Sequence, residues 1–381
     1  MAKKLGSLFF STAKRIGRLQ RQAFKLATQA AVKKPVKRVA KKAAIKKVVR
    51  PGGTRSVPDV AAGIILTGAG SWQNLFHKTM PSGTELLGRL AYSFYRPPVR
   101  PIAGMPLVVM LHGCQQTAYD LALGSRMNKL ADSKGFVVVY PQQVKRVHAL
   151  RCWRWFQPDP AHGFGEADAI ADLARTLAAR YKLDGNRVYV AGMSAGAGMA
   201  GLVAVRHPDL VAAVAMHSGA VLGDARSPSE GLQTMRRGAA HDPISLIAPL
   251  IHRLEGGSGV PAIILHGQRD HLVAIRNADQ LAQQFVYLNW PVAGNTVAEH
   301  TLPGSVPAPA PNVSVLAAGT EREYERRDYS IGRKPLVRLC LIKNVGHGWS
   351  GGDARLKFNA KAGPVACTLI WQFFNMHQKT K

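Results

Sequence analysis

Short runs of consecutive hydrophobic residues alternate with stretches of helical periodicity from about residue 84 onward. The hydrophobic runs predict strands at residues 106–112, 136–140, 187–193, 211–217, 261–266 and 336–342. Helical spacing predicts helices at about 120–133, 166–182, 195–207, 275–288 and 364–376. Strands that are apolar along their length suit a mostly parallel sheet with helices on both faces, so an α/β fold is predicted. Residues 292–333, which include a proline-rich stretch, are predicted to form a loop or insertion.

The first 56 residues follow a different pattern. Apolar residues recur every three or four positions between residues 5 and 30, with basic and polar residues opposite them, which predicts a basic amphipathic helix. Such a helix either lies at a boundary between water and an apolar phase or packs on the folded domain. Residues 32–50 are Lys-rich, as in the tails of histone-like proteins, and are predicted to be a solvated linker. The chain divides into a basic, partly disordered extension (1–56), a linker (57–83) and an α/β domain (84–379).

Charge and composition narrow the class of protein. Of the 51 Lys and Arg residues, seventeen lie in residues 1–56, which contain no Asp or Glu, so this segment carries +17 of the formal +29. No run of about 18 uncharged apolar residues occurs, which excludes a membrane-spanning helix. The four cysteines lack the C-x-x-C pairs of a structural zinc site. Cations interrupt the apolar residues near the start, unlike a secretory signal, so we expect a cytoplasmic protein.

The third predicted strand ends in the sequence Gly-Met-Ser194-Ala-Gly and leads directly into a predicted helix. A Gly-x-Ser-x-Gly motif in this setting forms a nucleophile elbow, which exposes the serine hydroxyl at the carboxyl edge of the sheet. A serine nucleophile needs a base, and the base needs an orienting acid. Asp270 and His347 each follow a later predicted strand, in the chain order that this fold requires. They are therefore the predicted acid and base.

Rival candidates are present for both roles. Asp353 is a second candidate acid, but it follows the histidine in the chain. His266 and His271 are candidate bases next to the acid, and both are predicted to be turn residues. The oxyanion hole needs two backbone N–H donors, for which we predict Ala195, directly after the serine, and Cys114, in the loop after the first core strand. Gln115 is the alternative donor in that loop.

Seven segments in order resemble the poly(3-hydroxybutyrate) depolymerase family of α/β-hydrolase esterases, over about residues 84–377. They read LHGCQQTAYDLALGSRMNKLADSKGFVVVYPQQ, RCWRWF, GFGEADAI, YVAGMSAGAGMA, HPDLVAAVAMHSG, HGQRDHLV and VGHGWSGG. The resemblance implies an α/β-hydrolase fold with Ser194, Asp270 and His347 as nucleophile, acid and base. The family also includes feruloyl and acetylxylan esterases, so the resemblance implies the chemistry more narrowly than the substrate.

Further expectations follow from the family. Trp153, Trp155 and Trp349 are predicted to line the substrate cleft, the alternative being an aromatic cluster that supports the active-site loop. Cys114 and Cys152 both lie in the matching segments and can pair in extracellular relatives, but in a reducing cytoplasm we expect two thiols.

The predicted function is a serine esterase that hydrolyses poly(3-hydroxybutyrate) or a related short-chain polyhydroxyalkanoate, with no cofactor or metal. The expected partner is the polymer itself or the surface of a polyester granule, to which residues 1–56 would hold a cytoplasmic enzyme. One alternative is a carboxylesterase acting on feruloyl, acetyl or other small esters. An alternative from another class is a protein whose tail binds nucleic acid or an anionic membrane surface. No oligomeric state is predicted.

Overall fold

The structure, a computed structural model, describes residues 67–79, 88–251, 259–290 and 310–379. These residues belong to one compact unit, Gly63–Lys381. The amphipathic helix and Lys-rich segment predicted for residues 1–56 lie outside the described residues. No helix within the described ranges is long and apolar enough to cross a bilayer.

A ten-stranded sheet organises the domain, in the order β1-β2-β4-β3-β5-β6-β7-β10-β9-β8. Its strands are β1 (Ser71–Lys78), β2 (Arg89–Arg96), β3 (Leu107–Leu111), β4 (Val137–Gln142), β5 (Val188–Met193), β6 (Ala213–His217), β7 (Ala262–Gly267), β8 (Asn312–Leu316), β9 (Tyr324–Ile331) and β10 (Lys334–Ile342). Six adjacent strands of the sheet run parallel: β4, β3, β5, β6, β7 and β10. The strands β1, β2, β8 and β9 pair antiparallel at the two edges. The parallel order brings the carboxyl ends of β3, β5, β6, β7 and β10 side by side.

Eight α-helices are described. They are α1 (Ala118–Ser125), α2 (Met127–Lys134), α3 (Gly163–Arg180), α4 (Ala195–Arg206), α5 (Pro228–Arg237), α6 (Pro243–Ile247), α7 (Arg276–Asn289) and α8 (Ala366–Phe374). A short 3₁₀ turn, Ala248–Leu250, follows α6, and a two-stranded ribbon pairs β11 (Trp349–Ser350) with β12 (Asn359–Ala360).

The six predicted strands and the predicted α/β fold are confirmed. The helix predicted at 120–133 is instead two helices, because Arg126 has φ 62°, a left-handed conformation that ends α1 before α2 begins. The predicted linker 57–83 is wrong at β1, which pairs along its whole length with β2 and places the start of the sheet before residue 84. The predicted loop 292–333 is likewise wrong at β8 and β9, which form an antiparallel pair at the opposite edge.

Helices cover the parallel strands on both faces, which explains why those strands are apolar throughout. In β3, Leu107, Val109 and Leu111 belong to one hydrophobic core, and the alternate residues Val108 and Met110 belong to the other. All five side chains are buried. Successive strand residues point to opposite faces, so a fully apolar strand fills both cores at once.

Two buried amide side chains of α7 hold the segment 218–242, which connects β6 to α6. Gln280 accepts the N–H of Ala239 and donates to its carbonyl oxygen, both at 2.9 Å. Gln284, one turn further along the same face, accepts the N–H of Leu222 at 3.1 Å and donates to its carbonyl oxygen at 2.9 Å. These side chains satisfy main-chain groups that have no sheet or helix partner at these two points.

Candidate active site

Ser194 lies in the sharp turn between β5 and α4, with φ 56° and ψ −121°. This backbone conformation is strained for a residue with a side chain, and it is held by a hydrogen bond of 2.9 Å from the Ser194 N–H to the His217 carbonyl oxygen. A Cβ atom on Gly192 would lie 2.1 Å from the Gly196 carbonyl oxygen. On Gly196 it would lie 2.1 Å from the carbonyl oxygen of Leu111 at the end of β3. Both glycines are therefore needed for the turn, and the predicted elbow is present.

Asp270 lies in the loop after β7 and its carboxylate is satisfied on both oxygens. Oδ1 accepts the backbone N–H groups of Leu272 and Val273, each at 2.9 Å. Oδ2 lies 2.8 Å from His347 Nδ1. Burial by itself would raise the pKa of Asp270, but the charge and hydrogen bond of His347 outweigh it and lower the pKa to about 2.

The hydrogen bond to Asp270 fixes the tautomer of His347. An ionised carboxylate can only accept, so the His347 proton lies on Nδ1 and Nε2 keeps its lone pair. The loops that carry Asp270 and His347 also contact each other, since the Arg269 N–H donates to the Val345 carbonyl oxygen at 2.9 Å. Within the described residues no hydrogen bond joins His347 Nε2 to the Ser194 hydroxyl. Such bonds are often long before substrate binds.

The rival acid and base have other partners. Asp353 forms a two-point ion pair with Arg355, through atoms 2.6 and 2.9 Å apart. His266 was predicted to be a turn residue, but it lies within β7, fully buried, with Nε2 donating to the Val273 carbonyl oxygen at 2.9 Å. His266 therefore supports the loop of Asp270. His271 lies exposed on that loop.

The main chain of Gly113, whose carbonyl group forms the peptide with Cys114, is oriented by two side chains. Its carbonyl oxygen lies 2.9 Å from Nδ1 of His112, and the Gly113 N–H donates to Gln116 Oε1, also at 2.9 Å. His112 Nε2 accepts the Gln143 N–H, so the His112 proton lies on Nδ1 and is donated to Gly113. Because this peptide is trans, the Cys114 N–H points away from His112.

The loop of Cys114 lies against the serine. A Cβ atom on Gly113 would lie 3.4 Å from the Ser194 Cβ. Neither the Cys114 N–H nor the Ala195 N–H has a hydrogen-bond acceptor among the described residues. An oxyanion hole requires two N–H donors with no other acceptor. Cys114 and Ala195 remain the predicted donors, whereas the Gln115 N–H is used by the Leu150 carbonyl oxygen at 2.6 Å.

A disulfide joins Cys114 to Cys152, with 4.3 Å between the two Cα atoms. The expectation of two thiols is therefore wrong in this structure. The disulfide ties the loop of the predicted oxyanion donor to the loop before α3. The resemblance implied that these two cysteines can pair, but the assumed cytoplasmic location argued against it.

The three tryptophans predicted to line the substrate cleft are buried, with exposed fractions of 1% for Trp153, 4% for Trp155 and 1% for Trp349. Trp155 packs on α4, where a Cβ atom on Gly198 would lie 2.7 Å from the indole. Trp349 stacks on His217, with ring centroids 5.2 Å apart. These side chains leave almost no surface for a substrate, so the substrate-binding prediction is wrong. The alternative of one aromatic cluster does not hold for all three either, because they belong to three separate hydrophobic clusters.

Apolar surface near the serine comes instead from partly buried side chains. Cys114, Leu150 and Met235 pack against a small buried cluster that includes Ala195, the neighbour of Ser194. Leu150 lies in a loop and Met235 in the polar helix α5, so neither belongs to a hydrophobic run that would mark it in advance. Both side chains are partly exposed at the cluster that contains Ala195.

The mostly parallel sheet, with the Ser194 turn and the loops of Asp270 and His347 at its carboxyl edge, has the architecture of an α/β-hydrolase. Residues 90–301 match the family model described as Esterase PHB depolymerase, which covers more than half of the chain. The chain belongs to that family.

Known relatives extend this assignment. The chain is 32% identical over 249 residues to poly(3-hydroxyalkanoate) depolymerase C of Paucimonas lemoignei, a match that covers 65% of this chain and 55% of the relative. It is 33% identical over 190 residues to feruloyl esterase B of Neurospora crassa, covering 47% of this chain and 63% of the relative. An acetyl xylan esterase from Aspergillus awamori has the same fold, with a TM-score of 0.62 and 19% identity over 81% of this chain and 100% of that protein.

Proposed function

We propose that this protein is a carboxylic ester hydrolase in which Ser194 is the nucleophile. The observation that carries the proposal is the hydrogen bond between Asp270 and His347, because it leaves His347 Nε2 as a proton acceptor at the same sheet edge as the Ser194 elbow. A serine hydroxyl is a weak nucleophile at neutral pH and needs such a base.

The reaction proceeds in two stages. In the first, His347 Nε2 takes the Ser194 proton while Oγ bonds to the ester carbonyl carbon, and the resulting oxyanion is held by the N–H groups of Cys114 and Ala195. The C–O bond to the alcohol then breaks, and His347 gives its proton to the leaving oxygen. In the second stage, His347 removes a proton from water, the hydroxide attacks the acyl-enzyme, and the acid is released as Ser194 regains its proton. Asp270 stabilises the imidazolium in both stages.

For the substrate we propose poly(3-hydroxybutyrate) or a related short-chain polyhydroxyalkanoate. The family description and the similarity to a named poly(3-hydroxyalkanoate) depolymerase support it. The second candidate is a feruloyl, acetyl or other small ester, which the similarity to feruloyl esterase B supports. Turnover of polyhydroxybutyrate granules, measured beside p-nitrophenyl and feruloyl esters, separates the two candidate substrates. A higher kcat/KM on a small ester than on polyhydroxybutyrate would favour the small-ester candidate.

Ser194→Ala tests the chemistry. We expect it to abolish hydrolysis while the melting temperature and any binding to polymer stay near those of the wild type. The matched control is Ser133→Ala, which removes an exposed hydroxyl whose only described contact is with the Leu130 carbonyl oxygen of its own helix. Turnover retained by Ser194→Ala would overturn the assignment of the nucleophile.

The disulfide bears on where the enzyme works. Cytoplasmic thiol systems keep cysteines reduced, so the bond between Cys114 and Cys152 supports activity in an oxidising compartment. The location expected from the sequence, the cytoplasm, is the alternative. Alkylation of free thiols in acid-quenched producing cells decides between them, because only the oxidised protein leaves these two cysteines unlabelled.

A further inference from the structure

His217 ends β6, between the strand that leads to Ser194 and the strand that leads to Asp270. Its Cα pairs with Met193 of β5 on one side and with Leu265 of β7 on the other. Its carbonyl oxygen accepts the Ser194 N–H at 2.9 Å and so holds the elbow. The main chain of His217 thus helps to hold the Ser194 turn in place, independently of the His217 side chain.

The His217 ring extends from the end of β6 to the loop of His347. Nε2 lies 3.2 Å from the backbone N of Ser350, three residues after His347, and accepts its N–H. The ring also stacks on Trp349, with an interplanar angle of 21°. Nδ1 lies 3.2 Å from Ser218 Oγ. The imidazole is fully buried, and two of these contacts are with Trp349 and Ser350, two and three residues after His347.

These contacts fix the tautomer of His217. Because Nε2 accepts a backbone N–H, the ring proton lies on Nδ1 and is donated to Ser218 Oγ. Burial, helped by the nearby charges of His266 and His347 and opposed by Asp270, lowers the pKa of His217 to about 3. The ring is therefore neutral at neutral pH and remains an acceptor for Ser350.

His347 stands between Gly346 and Gly348, residues that restrain the backbone least. Its ring is held at one end by Asp270, which sets the direction of Nδ1 but not the position of the main chain. The loop is held on its other side where Trp349 and Ser350 meet His217. The Trp349 N–H also donates to the Phe358 carbonyl oxygen at 2.8 Å. The contacts of His217 therefore add to the restraint on the His347 loop, whose ring a bond to Asp270 alone would leave free to rotate.

We propose that His217 is a positioning residue for the reaction: its imidazole holds the loop of His347 in register with Ser194, from the same strand end whose carbonyl oxygen holds the Ser194 elbow. This inference rests on the proposed function. His217 touches neither the reacting atoms nor the ester. Its effect on the rate comes through the separation and orientation of His347 and Ser194.

Three substitutions in the full chain separate positioning from packing. His217→Phe keeps the size of the ring and the stack on Trp349 but removes the acceptor for Ser350. His217→Gln places an amide oxygen near the position of Nε2, so the bond to Ser350 can re-form. His217→Asn is the matched control, because its amide reaches only the position of Nδ1.

The readout is kcat and KM for p-nitrophenyl butyrate, normalised to the number of serines titrated by an organophosphate. Normalisation removes the contribution of molecules that have not folded. We expect the Phe and Asn variants to lose about 100-fold in kcat per titrated site with KM little changed, as for a misplacement of about 1 Å, and the Gln variant to recover most of the loss. Wild-type kcat per site in the Phe variant, or no recovery with Gln, would overturn the proposal.

A second measurement needs no variant. Imidazole ¹⁵N chemical shifts of the wild-type protein should include a signal from His217 that belongs to a neutral ring with its proton on Nδ1 and does not titrate between about pH 5 and 8. If that signal, assigned by its loss in His217→Gln, belongs to the other tautomer or titrates, the proposal fails. If the Phe variant does not fold, the Gln and Asn pair gives the same comparison. A wild type that hydrolyses no ester, or turnover retained by Ser194→Ala, would instead refute the proposed function.

Discussion

Asp270→Asn tests the orientation of the base, because the structure determines which way the new amide points. Oδ1 of Asp270 is held by two backbone N–H donors. The asparagine oxygen must keep that place, so its NH₂ group faces His347 Nδ1. A neutral imidazole then keeps its proton on Nε2, the atom that should receive the Ser194 proton. The substitution preserves shape and inverts the tautomer.

The alternative orientation of the amide is also costly. If the amide flips to accept from His347, its NH₂ group meets the N–H groups of Leu272 and Val273, which leaves two donors unpaired at about 1–3 kcal/mol each. The inverted tautomer costs about 10⁴-fold in kcat in a serine hydrolase triad, or about 5.5 kcal/mol. The two costs are similar in size, so neither orientation restores activity.

The assay is kcat on a soluble p-nitrophenyl ester, again per titrated serine. The matched control is Asp353→Asn, which removes the ion pair with Arg355 but has no contact with His347. We expect a loss of about 10⁴-fold for Asp270→Asn and wild-type kcat for Asp353→Asn. Activity near that of the wild type in Asp270→Asn, or equal losses in both variants, would refute the reasoning.

Asp270 also predicts how stability depends on pH. Its pKa in the folded protein is about 2, below the ordinary value of 3.8, so the carboxylate stabilises the folded state by about 2 kcal/mol at neutral pH. The sign follows from the lowered pKa: the contribution is complete above the unfolded pKa and is lost as pH falls from about 4 towards 2. Denaturant unfolding over this range should show a smaller loss for Asp270→Asn than for the wild type.

Three further predictions concern the disulfide, the elbow and the tail. Cys152→Ser opens a loop with a sequence separation of 38 residues, so we expect a loss of about 4 kcal/mol in unfolding free energy; denaturation that is the same with and without reductant would contradict it. Gly196→Ala should prevent formation of an active fold because its Cβ would lie 2.1 Å from the Leu111 carbonyl oxygen, whereas Gly185→Ala, with nothing within 4 Å, should be neutral by kcat and melting temperature. Deletion of residues 1–56 should leave kcat on a soluble ester unchanged and impair granule binding in a sedimentation assay; unimpaired sedimentation, or a salt-dependent DNA gel shift lost with the tail, would favour the nucleic-acid alternative.

The buried half of the fold is readable from the sequence because each parallel strand is apolar on both faces. Edge strands are different. In β1 only Trp72 is buried deeply, whereas Phe76 is 65% exposed, and β8 exposes Val313 and Val315. These strands exist because they pair with a neighbour, and the identity of the neighbour is not encoded in their own hydrophobic pattern.

The site divides in the same way. The placement of Ser194, Asp270 and His347 at one edge of the sheet is predictable because each follows a recognisable strand and their order in the chain is constrained. The direction in which the side chain of Trp153 or Trp349 points cannot be predicted in this way, because an aromatic residue near a site can line a cleft or pack in a core equally well. The contact between His217 and Ser350 joins residues 133 positions apart and leaves no periodic signal in the sequence.

Gln280 and Gln284 hold the segment 218–242 through main-chain atoms alone. Hydrogen bonds to main-chain atoms do not depend on which side chains the segment carries. Met235, one of the apolar groups beside the serine, lies within it. Substitutions there can therefore reshape the rim of the site while the path of the chain over α7 is kept. This would allow one scaffold to diverge between polyesters and small esters without rebuilding its chemistry.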